Sequence, residues 1–199
     1  MKNVNFLLAG VGGQGTLLAA NILAEVGLLA GYDVKKSEIH GMAQRGGSVT
    51  SHVRWGQRVD SPMTGKGEVD ILIGFEQLEA LRYIEFLRPG GQAVLSTHRI
   101  PPVAVTSGGA VYPDMARFTH IVEQVTKNYL LVPAVDVAQA AGDARAHNVV
   151  LLGALSILLE VDEALWLQAI ERHVPAKALE VNRNAFQKGR ELGKHLTAR

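Results

Sequence analysis

Gly10-Val11-Gly12-Gly13-Gln14-Gly15 stands between an apolar run, Val4–Ala9, and a stretch of helical character that begins at Thr16. In that setting Gly10-x-Gly12-x-x-Gly15 matches a dinucleotide-binding fingerprint. Glycines let the backbone turn tightly and approach a ligand closely, and a helix start presents free N–H groups to an anion. Gly13 opens the loop further, and Gln14 projects a neutral amide from the turn. Gly10, Gly12, Gly13, Gln14, Gly15 and Thr16 are therefore candidate binding residues. A dinucleotide site also needs an acid about 20 residues on, at the end of the second strand. Glu38 stands there, but Lys35, Lys36 and Ser37 crowd it and suit a phosphate-bearing cofactor instead. The same glycines also serve a ligand-free purpose, close packing of a strand on a helix.

A second loop follows, Glu38-Ile39-His40-Gly41-Met42-Ala43-Gln44-Arg45-Gly46-Gly47-Ser48. Arg45 beside Gly46 and Gly47 sets a permanent cation against bare backbone donors, a cradle for phosphate or carboxylate. Gln44 donates and accepts at the same place, and Ser48 closes the candidate set. A solvated turn with an incidental arginine is the plainer alternative. Two glycine-rich polar loops converging on one sheet end weigh against it, because open α/β sheets bind ligands there. Other groups carry less. Gly90-Gly91 and Gly108-Gly109 read as turns, and His52, His98, His120, His147 and His173 show no metal-ligand spacing. Asn148 heads an apolar helix, either as a cap or as a polar group delivered to the same cleft. No paired carboxylates, nucleophile elbow or phosphate-loop lysine motif is present, so no catalytic residue or metal ligand is assigned.

Positioning two such loops takes alternating strands and helices. Val4–Ala9 suits a buried parallel strand, and Thr16–Leu29, rich in Leu, Ala and Ile, a buried helix stopped at Gly31. Tyr32–Ser37 is a second strand. Ser48–Trp55 alternates apolar and polar residues and reads as a strand near the sheet's edge. Val69–Phe75 predicts a buried strand, Glu76–Leu87 a helix, Pro89-Gly90-Gly91 a turn and Ala93–Ser96 the next strand. Pro101–Pro113 is irregular, Met115–Lys127 a helix and Tyr129–Ala134 a further strand. From Val135 onward the chain is helical in character. Asn148–Leu159 is apolar on nearly every face, which demands burial in a core or under a partner. After Pro175 comes a final helix, Ala178–Leu196. The pattern is an α/β fold, a Rossmann-like, mainly parallel sheet with a helical C-terminal part.

Composition narrows the function. The chain has 199 residues, 47% hydrophobic and 20% charged, with a formal net charge of +1. That balance gives no electrostatic case for nucleic-acid or polybasic membrane binding. Cysteine is absent, which excludes disulfides, thiolate zinc sites, cysteine-ligated iron–sulfur clusters and a cysteine nucleophile. The N-terminal apolar run meets a glycine loop rather than a cleavage site, and Val149–Leu159 is too short to span a bilayer. A cytoplasmic protein is expected.

Three segments together, AGVGGQGTLLAANILAEVGLLAG (Ala9–Gly31), EIHGMAQRGGSVTSHVRWG (Glu38–Gly56) and NVVLLGAL (Asn148–Leu155), resemble the gamma-type domain of the 2-oxoacid:ferredoxin oxidoreductases. HGMAQRGGSV is the most specific of these. The resemblance implies one gamma-type domain over 1–199, with 178–199 a C-terminal helical tail. It implies a subunit, with little or no activity alone, of a complex that oxidatively decarboxylates a 2-oxoacid, here an aryl pyruvate such as indolepyruvate, to acyl-CoA and CO2. Thiamine diphosphate, Mg and the iron–sulfur clusters are then expected on a large alpha subunit, with coenzyme A as co-substrate and ferredoxin as electron acceptor. This chain would hold no cofactor alone. Gly12, Gly13, Gln14, Gly15, Gln44, Arg45 and Gly46 would face the partner's active site. Two other readings stay open, a stand-alone NAD(P)-dependent oxidoreductase domain and a nucleotide-binding scaffold without catalysis.

Overall fold

The computed structural model describes residues 3–40 and 47–197. Its frame is a six-stranded sheet in the order β2-β3-β1-β4-β5-β6. The strands are β1 (Val4–Val11), β2 (Asp33–His40), β3 (Ser48–Gly56), β4 (Val69–Gly74), β5 (Leu87–Ser96) and β6 (Tyr129–Val132). Strands β1, β4, β5 and β6 pair in parallel, while β3 runs antiparallel to both β1 and β2. The sheet is thus mainly parallel, as the sequence pattern predicts, with one reversed strand.

The alternation in β3 predicted a place near the sheet's edge, and β3 is the second strand in, with β2 taking the edge and β1 on its other side. Its polar residues Thr50, Ser51 and His52 are buried. Nδ1 of His52 lies 2.7 Å from Thr64 Oγ1 and accepts the Thr64 N–H at 3.4 Å. A backbone N–H only donates, so that contact requires Nδ1 to be the unprotonated ring nitrogen. Burial accordingly lowers the His52 pKa.

Successive side chains of β1 point to opposite faces, and both faces are covered. Phe6 and Leu8 enter one core, with Trp55, Trp166 and Phe186; Leu7 and Ala9 enter the other, with Phe118 and Val122. Helices α1 (Thr16–Leu29), α5 (Ala134–Ala141), α6 (His147–Ser156), α7 (Glu163–His173) and α8 (Leu179–Thr197) contribute to the first. Helices α2 (Gln77–Tyr83) and α4 (Met115–Val125) contribute to the second, and α3 is the short turn Val103–Thr106 within a stretch expected to be irregular. The Pro89-Gly90-Gly91 turn proves to lie inside β5, where the register to β4 shifts.

Helix α6 is apolar all round because both its sides are covered, and Asn148–Ser156 are all buried. Against it lies α8, backbone to backbone. A Cβ at Gly189 would sit 2.1 Å from the Val150 carbonyl oxygen, and one at Gly153 would sit 2.2 Å from that of Phe186. Gly189→Ala is therefore expected to destabilise the fold by about 3 kcal/mol through overpacking. In thermal denaturation the midpoint should fall by roughly 10 °C. Glu191→Ala, on the exposed face of α8, should stay within about 0.5 kcal/mol of the parent.

Candidate functional site

Strand β1 ends at Val11 and the chain enters α1 through Gly12-Gly13-Gln14-Gly15. Gln14, only 5% exposed, folds back rather than out. Its Oε1 accepts the Val11 N–H at 2.8 Å, and its Nε2 donates to the Phe75 carbonyl at 3.0 Å. The Phe75 N–H itself donates to the Ala9 carbonyl at 2.8 Å. The amide thus spans the opening where β1 and β4 part, just beyond their last pair, Ala9 and Gly74. Gly10 makes room for it, since a Cβ there would lie 2.9 Å from Gln14 Oε1 and 3.0 Å from Thr16 Oγ1. Gly13 and Gly15 take positive φ, +100° and +73°, which side-chain-bearing residues avoid.

The two glycine loops meet. The Gly12 N–H donates to the Gly47 carbonyl at 2.9 Å, next to the last ladder pair of β1 and β3, Val11 and Ser48. Ser48 turns toward α2, donating its hydroxyl to Glu79 Oε2 at 2.5 Å with Tyr83 OH 3.2 Å away. Gln44, Arg45 and Gly46 lie outside the described residues. Asn148 donates Nδ2 to the Gly15 carbonyl at 3.2 Å, although 133 positions separate them. It is the second residue of α6 rather than its cap.

What the loop presents is the start of α1. Gly15 caps it without a side-chain bond, and no acidic residue stands in the first turn. Thr16 Oγ1 is buried with no hydrogen-bond partner. Uncapped N–H groups, the positive end of the helix dipole and a spare hydroxyl favour an anion here.

The same sheet end carries groups that their local sequence did not single out. His98, after β5, and His147, at the start of α6, bring their rings to 6.3 Å, with Phe75 edge-on to His147 at 6.5 Å. His147 Nδ1 is buried without a partner. Burial, aided by His98, pushes the His147 pKa down to about 4. Glu76 is buried but satisfied: it accepts from the Glu79 and Ile100 N–H groups and from the Tyr112 hydroxyl. Burial and that carboxylate raise the Tyr112 pKa. A cavity of about 200 Å³ opens beside His98 and Arg99 at the start of α5.

Glu38 does not serve the glycine loop. It lies on β2, separated from β1 by β3, and its Oε1 is 2.5 Å from Lys36 Nζ. A dinucleotide fold sets its acid on the strand next to β1, so that half of the fingerprint is absent. Among the described residues no group of three His, Asp or Glu side chains converges on a metal position.

The sequence profile of the pyruvate ferredoxin/flavodoxin oxidoreductase family matches residues 5–192. The chain belongs to this family. It is 41% identical to the indolepyruvate oxidoreductase subunit IorB of Thermococcus kodakarensis over 199 residues, 98% of each chain. It is 32% identical to the 2-oxoglutarate synthase subunit KorC of Methanocaldococcus jannaschii, over 95% of this chain and 93% of that one. The keto/oxoacid ferredoxin oxidoreductase gamma subunit of Geobacter sulfurreducens shares the fold, with a TM-score of 0.72 at 24% identity over 96% and 99% of the two chains. The 2-oxoglutarate:ferredoxin oxidoreductase of Magnetococcus marinus matches at 0.74 and 22%, with 98% of this chain laid on 32% of the larger one. The gamma-type resemblance of the glycine loops and of Asn148–Leu155 therefore holds over nearly the whole chain. In this family member no helix among the described residues is long and apolar enough to cross a membrane.

Gln14→Leu would strand the buried Val11 N–H and Phe75 carbonyl. A loss of about 2–4 kcal/mol is expected, measured by urea denaturation. His147 predicts a pH effect of definite sign. Its folded pKa lies below the unfolded value of about 6.5, so the unfolded chain takes the proton first as pH falls. Stability should drop by about 3 kcal/mol between about pH 6.5 and 4 and then level off for this group. His147→Phe should flatten that part of the profile.

Proposed function

We propose that this chain is the small, cluster-free subunit of a thiamine diphosphate-dependent 2-oxoacid:ferredoxin oxidoreductase acting on aryl pyruvates such as indolepyruvate. The complex oxidatively decarboxylates the substrate to acyl-CoA and CO2 and passes electrons to ferredoxin. The observation that carries this reading is the end-to-end 41% identity to an indolepyruvate oxidoreductase subunit. In the same reading residues 1–199 form one gamma-type domain in the cytoplasm, partnered by a large alpha subunit that holds thiamine diphosphate, Mg and the clusters. The absence of cysteine supports that division, since the chain has no thiolate to ligate a cluster.

The role assigned to this chain is to complete the partner's active site. Coenzyme A, when bound, supplies the thiol that takes the acyl group. Its phosphates suit the uncapped start of α1, the loop amides of Gly13 and Gly15, and the unpartnered Thr16 hydroxyl. Arg45 adds a fixed cation on the adjoining loop, whose following residue Gly47 is bonded to Gly12. Closing these loops over the partner excludes water and strengthens every charge interaction within. Gln14 and Asn148 act as positioning residues that hold the loop.

Affinity purification from the native host should bring down a large, brown, thiamine-containing partner. In the purified complex Arg45→Ala should raise KM for coenzyme A by about tenfold, equivalent to about 1.4 kcal/mol, with KM for the 2-oxoacid little changed. Full activity with both KM values unchanged would overturn the role given to this loop. Tight binding of NADPH by the isolated chain would instead favour a dehydrogenase.

A further inference from the structure

At the opposite end of the sheet, where β1, β4 and β5 begin, lies a cavity of about 550 Å³ lined by Val4, Asp70, Arg88 and Gln92 among others. The length of β1 puts it roughly 23 Å from the glycine loop. Its volume is that of a small-molecule site. Nothing in the proposed oxidoreductase role uses it.

The lining has a definite chemical character. Half-buried Tyr32 lines the cavity with Leu158 and Val161 and stacks on Trp55, ring centroids 5.4 Å apart, while Trp55 and Ile71 lie buried beneath. The floor is apolar, with one partly open aromatic ring. On the rim Asp70 is spoken for: Oδ1 accepts from Arg88 Nε at 2.5 Å and Oδ2 from the Asn5 N–H at 2.8 Å. Arg88 and Asp70 therefore cancel. Glu160 remains, exposed and without an ion pair among the described residues, and Gln92 adds an amide with spare hydrogen-bonding capacity. One uncompensated carboxylate beside an aromatic face attracts a cation twice, by direct charge attraction and by the ring quadrupole. It repels anions, the reverse of the glycine-loop end.

We propose that this cavity binds a small aromatic amine, its ring against Tyr32, Leu158 and Val161 and its ammonium held by Glu160 and Gln92. An aromatic ring gains apolar burial on that floor, and the amine meets the Glu160 carboxylate and the Gln92 amide on the rim.

The full chain carries only two tryptophans, so Trp166→Phe leaves Trp55 as a single reporter beside the cavity. Titration of this variant with 2-phenylethylamine at neutral pH should give a saturable change in Trp55 emission. Phenylacetate, with the same ring and the opposite charge, should give none. Glu160→Gln and Gln92→Leu should each weaken binding by about tenfold. Glu160 is exposed, so its variant keeps the fold and isolates the charge. No saturable response to the amine, an equal response to phenylacetate, or unaltered binding by both rim variants would overturn the assignment.

Discussion

Strand pairing between β1 and β4 stops at Ala9 and Gly74, and the Gln14 side chain takes over the bonding from there. A neutral amide is suited to this, because one end accepts and the other donates within a single planar group. Much of the loop follows from that placement. Gly10 must lack a side chain so that Gln14 can lie over it, and Gly13 and Gly15 must turn where other residues resist turning. With Gly15 fixed, α1 starts where its free N–H groups face the end of the sheet, braced from behind by Asn148. The glycine spacing thus has divided duties: one position is for packing and two are for conformation.

Local pattern carried the fold a long way. The apolar runs of β1 and β4, the Leu- and Ala-rich α1 and the all-apolar α6 each announce burial through their own residues. Direction and neighbourhood were not legible. Alternation in Ser48–Trp55 reports which side chains face a core, but says nothing about which strands flank it. The polar residues of this near-edge strand are covered by chain from beyond Gly56, as the His52–Thr64 contact shows. The meeting of the two glycine loops was legible as an expectation, and the Gly12–Gly47 bond realises it. The inward turns of Gln14 and Ser48 were not, because their partners Phe75 and Glu79 stand more than 30 residues away. Gly153 and Gly189 likewise carried no local signal. Their meaning exists only when two helices far apart in the chain touch.

The two ends of the sheet offer a ligand different groups. Where the parallel strands finish, helix starts gather: α1 with no acid in its first turn, and α6 with its histidine at the first position. Protonation is penalised there by burial and by a neighbouring imidazole. Where the strands begin, Asp70 is paired with Arg88 and Glu160 has no ion pair among the described residues. A parallel sheet makes such polarity natural, since each crossover returns a helix start to the same side.

The α6–α8 seam also sets an order of assembly. A chain made from its N-terminus presents α6 before residues 179–193 exist, and α6 has no polar face to show to water. Until α8 arrives, one side of that helix has only non-native company. Helix α8 thus seals the larger core, with Ala185 and Phe186 inside it. Helix α6 stays uncovered on that side while residues 157–193 are added.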